Sequence, residues 1–126
     1  MKSVILASGI FILIIILMFS SYIYTERLTD QMNGFLDENE KYFAKNDWDS
    51  AENEIKLLSK TWNKSRNIMA AFVNHTVIDE IDECITKISV LVKMHETADY
   101  YAEVGRARLK INGLYNLQKV SIANLF

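Results

Sequence analysis

The chain begins with an apolar block and then changes to a regular alternation of apolar and charged positions. Residues 4–24 form twenty-one positions without a charge, and 10–19 are unbroken Ile, Leu, Phe and Met. At about 1.5 Å per residue the block is roughly 30 Å long as a helix, the thickness of a bilayer's hydrocarbon core. Lys2 precedes it, and Glu26 and Arg27 follow it. After residue 24 the apolar positions recur at three- and four-residue steps, the period of amphipathic helices.

Four such stripes are legible. Leu28, Met32 and Phe35, with Leu36 beside them and Tyr42 and Phe43 at the end, predict that the apolar helix continues over 25–45. Gly34 is a soft point there, costing about 1 kcal/mol relative to alanine. Residues 46–49 read as a turn, with Asp49 and Glu52 as a capping box or Asp47 as the cap. A second helix over 50–74 carries Ala51, Ile55, Leu58, Trp62, Met69 and Phe72 on one line, broken only by Ser65. Lys56, Lys60, Lys64 and Arg66 fall off that line, towards water. Asn74 or Thr76 caps a third helix over 77–95, with Asp79 and Glu80 in its first turn, where acids suit the helix dipole. This helix has the widest apolar face: Val77, Ile78, Ile81, Cys84, Ile85, Ile88, Leu91 and Val92. A fourth helix starts at Glu96 and Thr97 and runs to the terminus. Tyr100, Val104, Ala107, Ile111 and Leu114 form its inner line, while Ala98, Gly105 and Gly113 form a thin second side open to another helix. Ile122, Leu125 and Phe126 leave an apolar tail.

The expected fold is therefore all-α: a transmembrane anchor over 1–25 and a small antiparallel helical bundle over 26–126. The complete absence of proline, with only four glycines, agrees with long helices. The apolar core is longer than that of a cleaved signal peptide, and no A-x-A-like site follows it, so it reads as an uncleaved signal anchor. Neither a lipoprotein cysteine nor a pilin-type leader is present at this end. Lys2 and the positive-inside rule place the amino terminus in the cytoplasm and the bundle outside, at the cell membrane.

Charge narrows the partners. Fourteen basic and sixteen acidic residues give a net charge of −2, and all the acids lie after residue 24. The signs are mixed along the bundle, without a basic stripe for nucleic acid and without a polybasic run for anionic lipid. Cys84 is the single cysteine, so an intramolecular disulfide is excluded.

Few residues invite a chemical reading. His75, Asp79 and Asp82 share a helix face at i, i+4 and i+7 and could hold a divalent metal. The paired histidines of a zinc motif are missing, however, and a histidine at a turn followed by acids at a helix start explains the same pattern. His95, Glu96 and Asp99 invite the same two readings. Cys84 sits mid-stripe, where a thiol behaves as a small hydrophobe. Trp48 stands in a polar turn: exposed, it would contact a partner; buried, it anchors the core, and the second fits a tryptophan better. Two Asn-x-Ser/Thr triplets at Asn63 and Asn74 fall in or beside helices and carry no weight. Neither a triad order nor a phosphate loop is present, so catalysis and a cofactor have no support in the sequence.

The tryptophan-bearing second helix, Asn74-His75 with Ile78-Asp79 and Ile81-Asp82, and the closing Ala123-Asn124-Leu125-Phe126 together resemble the family called domain of unknown function 4363, along the whole chain. The resemblance implies small single-span proteins of spore-forming Gram-positive bacteria. It also implies genes lying near those of multispan membrane proteins, and it points to His75, Asp79, Asp82 and Asn124. No activity comes with it. The expected role is an accessory or scaffolding partner of a multispan envelope protein, with Trp48, Gly113, Asn124 and Phe126 as contact residues. The alternatives are a sensor of a small ligand or metal at the outer face, through His75, Asp79 and Asp82, and self-assembly into a homo-oligomer.

Overall fold

The structure is a computed structural model that describes residues 1–125, with side chains described to Leu117. Four helices follow one another: α1 (Lys2–Ala44), α2 (Trp48–Ala70), α3 (His75–Met94) and α4 (Thr97–Leu125). No strand occurs among the described residues. Each helix packs on the next, and α4 returns against α1, so the four close an up-down-up-down ring.

The core is assembled from the four predicted stripes. Met32 and Leu36 of α1, Ile55, Leu58 and Trp62 of α2, Ile78, Ile81, Cys84 and Ile88 of α3, and Tyr100, Ile111 and Leu114 of α4 are almost wholly buried. Truncating one of the large aliphatic members, such as Leu36→Ala, costs about 2–5 kcal/mol in such a core. Ser65, the break in the α2 line, is buried with its apolar neighbours.

α1 is a single 43-residue helix, about 65 Å long. Its second half supplies core residues, while its first half is bare: Ile5, Leu6, Ile10, Leu13 and Leu17 are each more than half exposed. By length and composition this helix can cross a membrane. The Gly34 position does not interrupt it.

Helix ends depart from the periodicity by a few residues, for reasons visible in the caps. The Asp47 carboxylate accepts from the Ser50 amide at 3.3 Å, so Asp47 is the α2 cap and Trp48 lies inside the helix. α2 stops at Ala70, four residues short of the predicted end, where the Ala71 and Phe72 amides tighten to bonds three residues back, on the Ile68 and Met69 carbonyls. Phe72, expected on the buried line, is consequently 53% exposed, and Val73 is tucked inward instead. Asn74 caps α3 by accepting from the Thr76 amide at 2.9 Å, which starts that helix at His75. The α3 end falls at Met94, because His95 adopts a left-handed φ of 56°.

Candidate functional site

The predicted acidic face of α3 is a clamp between helices. Asp82 is half-buried, and both its oxygens are engaged. The Trp62 indole N–H donates to Oδ1 at 2.6 Å, and the Arg66 Nε donates to Oδ2 at 2.8 Å. Arg66 also lies 3.6 Å from Asp79. Trp62 and Arg66 are one turn apart on α2, so one carboxylate on α3 meets both. His75 opens α3 as an exposed residue and makes none of these bonds. Among the described residues no group of three or more His, Cys, Asp or Glu is placed to hold a metal ion. The shallow hollow beside this clamp is lined by Ser59, Asn63, Thr86 and the clamp residues themselves. Sequence reasoning placed Arg66 in water; its spacing of four from Trp62 was the available signal that both face α3.

At the far end of the bundle, where the α1–α2 and α3–α4 turns meet, aromatic rings close the core. Phe43 stacks on Tyr100 with ring centres 3.6 Å apart and meets Trp48 edge-on at 5.0 Å. Trp48 lies flat against His95, with centres 4.0 Å apart and planes 9° from parallel. Trp48 is thus half-buried and joins the two turns. The His95 ring is a packing partner, and its stacking accompanies the left-handed backbone that glycine usually supplies at a helix end. Beneath these rings the Tyr100 hydroxyl donates to Asn39 Oδ1 in a short hydrogen bond, and Asn39 Nδ2 donates to the Ala51 carbonyl at 2.6 Å. Asn39 is completely buried. It was not singled out from the sequence, because an asparagine between Leu36 and Phe43 looks like an ordinary polar position.

Cys84 is buried on α3. Burial first, and then the nearby Glu103 carboxylate, push its thiol up to about 11, so the reactive thiolate is suppressed at neutral pH. Ion pairs tie the outside of the ring: Arg108 of α4 to Asp37 and Glu40 of α1, and Lys110 of α4 to Glu80 of α3. Lys87 bonds Glu83 one turn away and holds that carboxyl below its ordinary range.

The small-residue side of α4 faces away from the other three helices. A Cβ added at Gly105 or Gly113 would meet nothing within 4 Å. Among the described residues no helix approaches closely over those glycines. A groove on the α3–α4 side, of about 410 Å³, is lined by Val90, Leu91 and Ala102 with Lys87, Asp99 and Glu103 around them. Val90 and Met94, one turn apart, are exposed at 49% and 68%. The side chain of Asn124, and Phe126 altogether, lie outside the described residues.

At the other end of the bundle the Tyr22 and Tyr115 hydroxyls are 2.7 Å apart, joining α4 to α1 just where the apolar block ends. Further along the same seam Asn33 Nδ2 donates to Asn112 Oδ1 at 2.8 Å.

Compared with known proteins, residues 19–125 match the model of the family described as Domain of unknown function (DUF4363). No curated protein matches, and no solved structure matches.

Proposed function

From a chain that belongs to the DUF4363 family, to which no activity is attached, we propose a membrane-anchored accessory module that holds a rigid four-helix bundle against the membrane and binds a multispan membrane protein there. The observation that carries this reading is the continuity of α1. Its first half is a bare apolar rod, and its second half is one wall of the bundle core, with no break between them. Burying the bare half in lipid removes a large apolar surface from water, worth about 25 cal/mol per Å². The unbroken helix then fixes the height and direction of the bundle above the bilayer. Lys2 on the short side favours an amino terminus in the cytoplasm and a bundle on the outer face.

An interaction role fits the surfaces. The carboxylates of the acidic face are occupied in joining α2 to α3, and the thiol is buried. The flat glycine side of α4 and the exposed Val90 and Met94 are left for a partner.

The test has two parts. Alkaline carbonate extraction of native membranes should leave the protein in the pellet, and single cysteines at Lys2 and Thr97 in a Cys84→Ala background should label from opposite sides. A mild-detergent pull-down of the full-length tagged chain, read by mass spectrometry, should then carry a multispan protein in stoichiometric amount. A preparation containing this chain alone would remove the accessory reading and point to self-assembly.

A further inference from the structure

The two ends of the bundle differ in chemistry. The far end is charged, with Lys45, Asp47 and Asp49 around one turn and Glu96 and Asp99 around the other. The near end carries Glu26 and Arg27 on α1, but residues 67–78, which include the whole α2–α3 turn, contain no Asp, Glu, Lys or Arg. Two large apolar side chains are bare on this uncharged tip, Ile68 at 47% and Phe72 at 53% exposure.

The helix register says where this tip stands. Thr25 of α1 and Met69 of α2 touch, with Oγ1 and Sδ 3.7 Å apart. The two helices run antiparallel, so Phe72, three residues past Met69, reaches about 4.5 Å nearer the amino-terminal half of α1. That is the height of Tyr22, three residues before Thr25 and inside the apolar block of residues 4–24. Tyr22 and Tyr115 meet at this height, an arrangement that suits the headgroup level, where tyrosine rings collect.

Part of the turn's backbone is already paired within the chain. The Phe72 and Val73 amides bond to the Met69 carbonyl, and Asn74 caps the Thr76 amide. Backbone groups left unpaired there would be expensive in a medium with little water.

We propose that the α2–α3 turn is seated in the outer interface of the bilayer, with Phe72 and Ile68 among the glycerol groups and upper acyl chains of phospholipids. The proposal rests on the single-span reading of α1. It gives the bundle a second point of attachment, so that the module is fixed against tilting as well as tethered.

The test uses the full-length chain, Cys84→Ala, in phosphatidylcholine vesicles, with a polarity-sensitive fluorophore on one introduced cysteine at a time. The sites are Phe72→Cys and Ile68→Cys at the tip, Ile12→Cys in the span and Thr97→Cys at the far turn, each checked for wild-type helicity. A phosphatidylcholine carrying a nitroxide near the headgroup serves as quencher, and one with the nitroxide deep in the chain as its counterpart. The shallow quencher should act on the Phe72 and Ile68 probes, with blue-shifted emission. The deep one should act on Ile12, and neither on Thr97. An Ile12 probe quenched as expected, with Phe72 and Ile68 probes both behaving like Thr97, overturns the proposal and leaves the anchor standing. An unquenched Ile12 probe overturns the anchor, and the seated turn with it.

Discussion

The hydroxyl of Tyr100 on α4 donates to the side-chain oxygen of Asn39 on α1, and the Asn39 amide passes the connection on to the Ala51 carbonyl of α2. One buried asparagine thus joins three of the four helices inside a ring of stacked aromatics. A buried polar group stabilises only while its partners are present, because losing one leaves another desolvated.

Asn39→Ala should therefore destabilise the bundle by about 1–3 kcal/mol beyond the packing it loses, since the Tyr100 hydroxyl is left buried and unpaired. The double variant Asn39→Leu with Tyr100→Phe should recover most of that loss, as it removes both polar partners. Urea unfolding of the full-length chain in detergent micelles, followed by circular dichroism, measures both. Equal losses for the single and double variants would mean that packing alone matters at this position.

The clamp at Asp82 yields a different comparison. Asp82→Ala leaves the buried Trp62 N–H without its acceptor and the Arg66 guanidinium with only its longer contact to Asp79, and should cost about 1.5–3 kcal/mol, in the range of bonds to charged groups. His75→Ala, at an exposed position outside the clamp, should change stability by less than about 0.5 kcal/mol. Thermal melts of the two variants, with and without divalent cations, separate the structural reading from the sensing one. A cation-dependent rise in Tm abolished by His75→Ala would favour the sensor.

These two clusters also mark where the sequence stops being informative. Leu36, Leu58, Ile88 and Ile111 are visible as core because burial along a helix repeats every three or four residues. The family itself could be recognised from short motifs, and residues 19–125 match it. Asn39 leaves no such trace, and Arg66 leaves only its spacing of four from Trp62. Their roles depend on which residue lies opposite on another helix, and that register is set by packing rather than by spacing within one stripe. The ends of α2 and α3 shifted for a related reason: the caps Asp47 and Asn74 each had neighbouring candidates of equal chemistry, and only backbone geometry chose between them. Phe72 followed the α2 line in sequence yet is exposed, because the helix had already ended.

Thr29 offers a simpler test. Its side chain is buried, and among the described residues the hydroxyl has no hydrogen-bond partner. Valine has the same shape without the hydroxyl, so Thr29→Val should leave stability unchanged or raise it by up to about 1 kcal/mol. A clear loss in urea midpoint would reveal a bound water or a ligand on that oxygen.

Cys84 makes stability depend on alkaline pH. The fold favours its protonated form, because burial and then Glu103 raise the thiol from an ordinary 9.0 to about 11. A raised folded-state value contributes stability that is complete below the ordinary value and is lost as the pH climbs through about 11. Tyr100 acts in the same direction, its phenol raised by burial first and then by Glu40, but it is common to wild type and variant. The Tm difference between wild type and Cys84→Ala should hence be constant below pH 9.0 and shift against the wild type between 9.0 and about 11. A constant difference throughout would mean that the thiol titrates as it does in the unfolded chain.

The glycines of α4 connect stability to partnership. Neither Gly105 nor Gly113 has a positive φ, and a Cβ at either meets nothing within 4 Å. Alanine at each position should then stabilise the isolated chain by roughly 0.5–1 kcal/mol, the helix-propensity difference between the two residues. A leucine at Gly113 should likewise fold, with helicity and Tm at or above those of the wild type minus its small loss of propensity gain. Its effect should show in assembly: if a helix of the partner outside the bilayer approaches α4 along the flat side of Ala98, Gly105 and Gly113, Gly113→Leu holds that helix away, and the multispan protein should be lost from a mild-detergent pull-down. The comparison isolates docking from folding because the variant is judged on both in the same preparation. Full co-purification with Gly113→Leu would move the docking face off this side of α4, and the exposed Val90 and Met94 beside the α3–α4 groove would be the next positions to substitute.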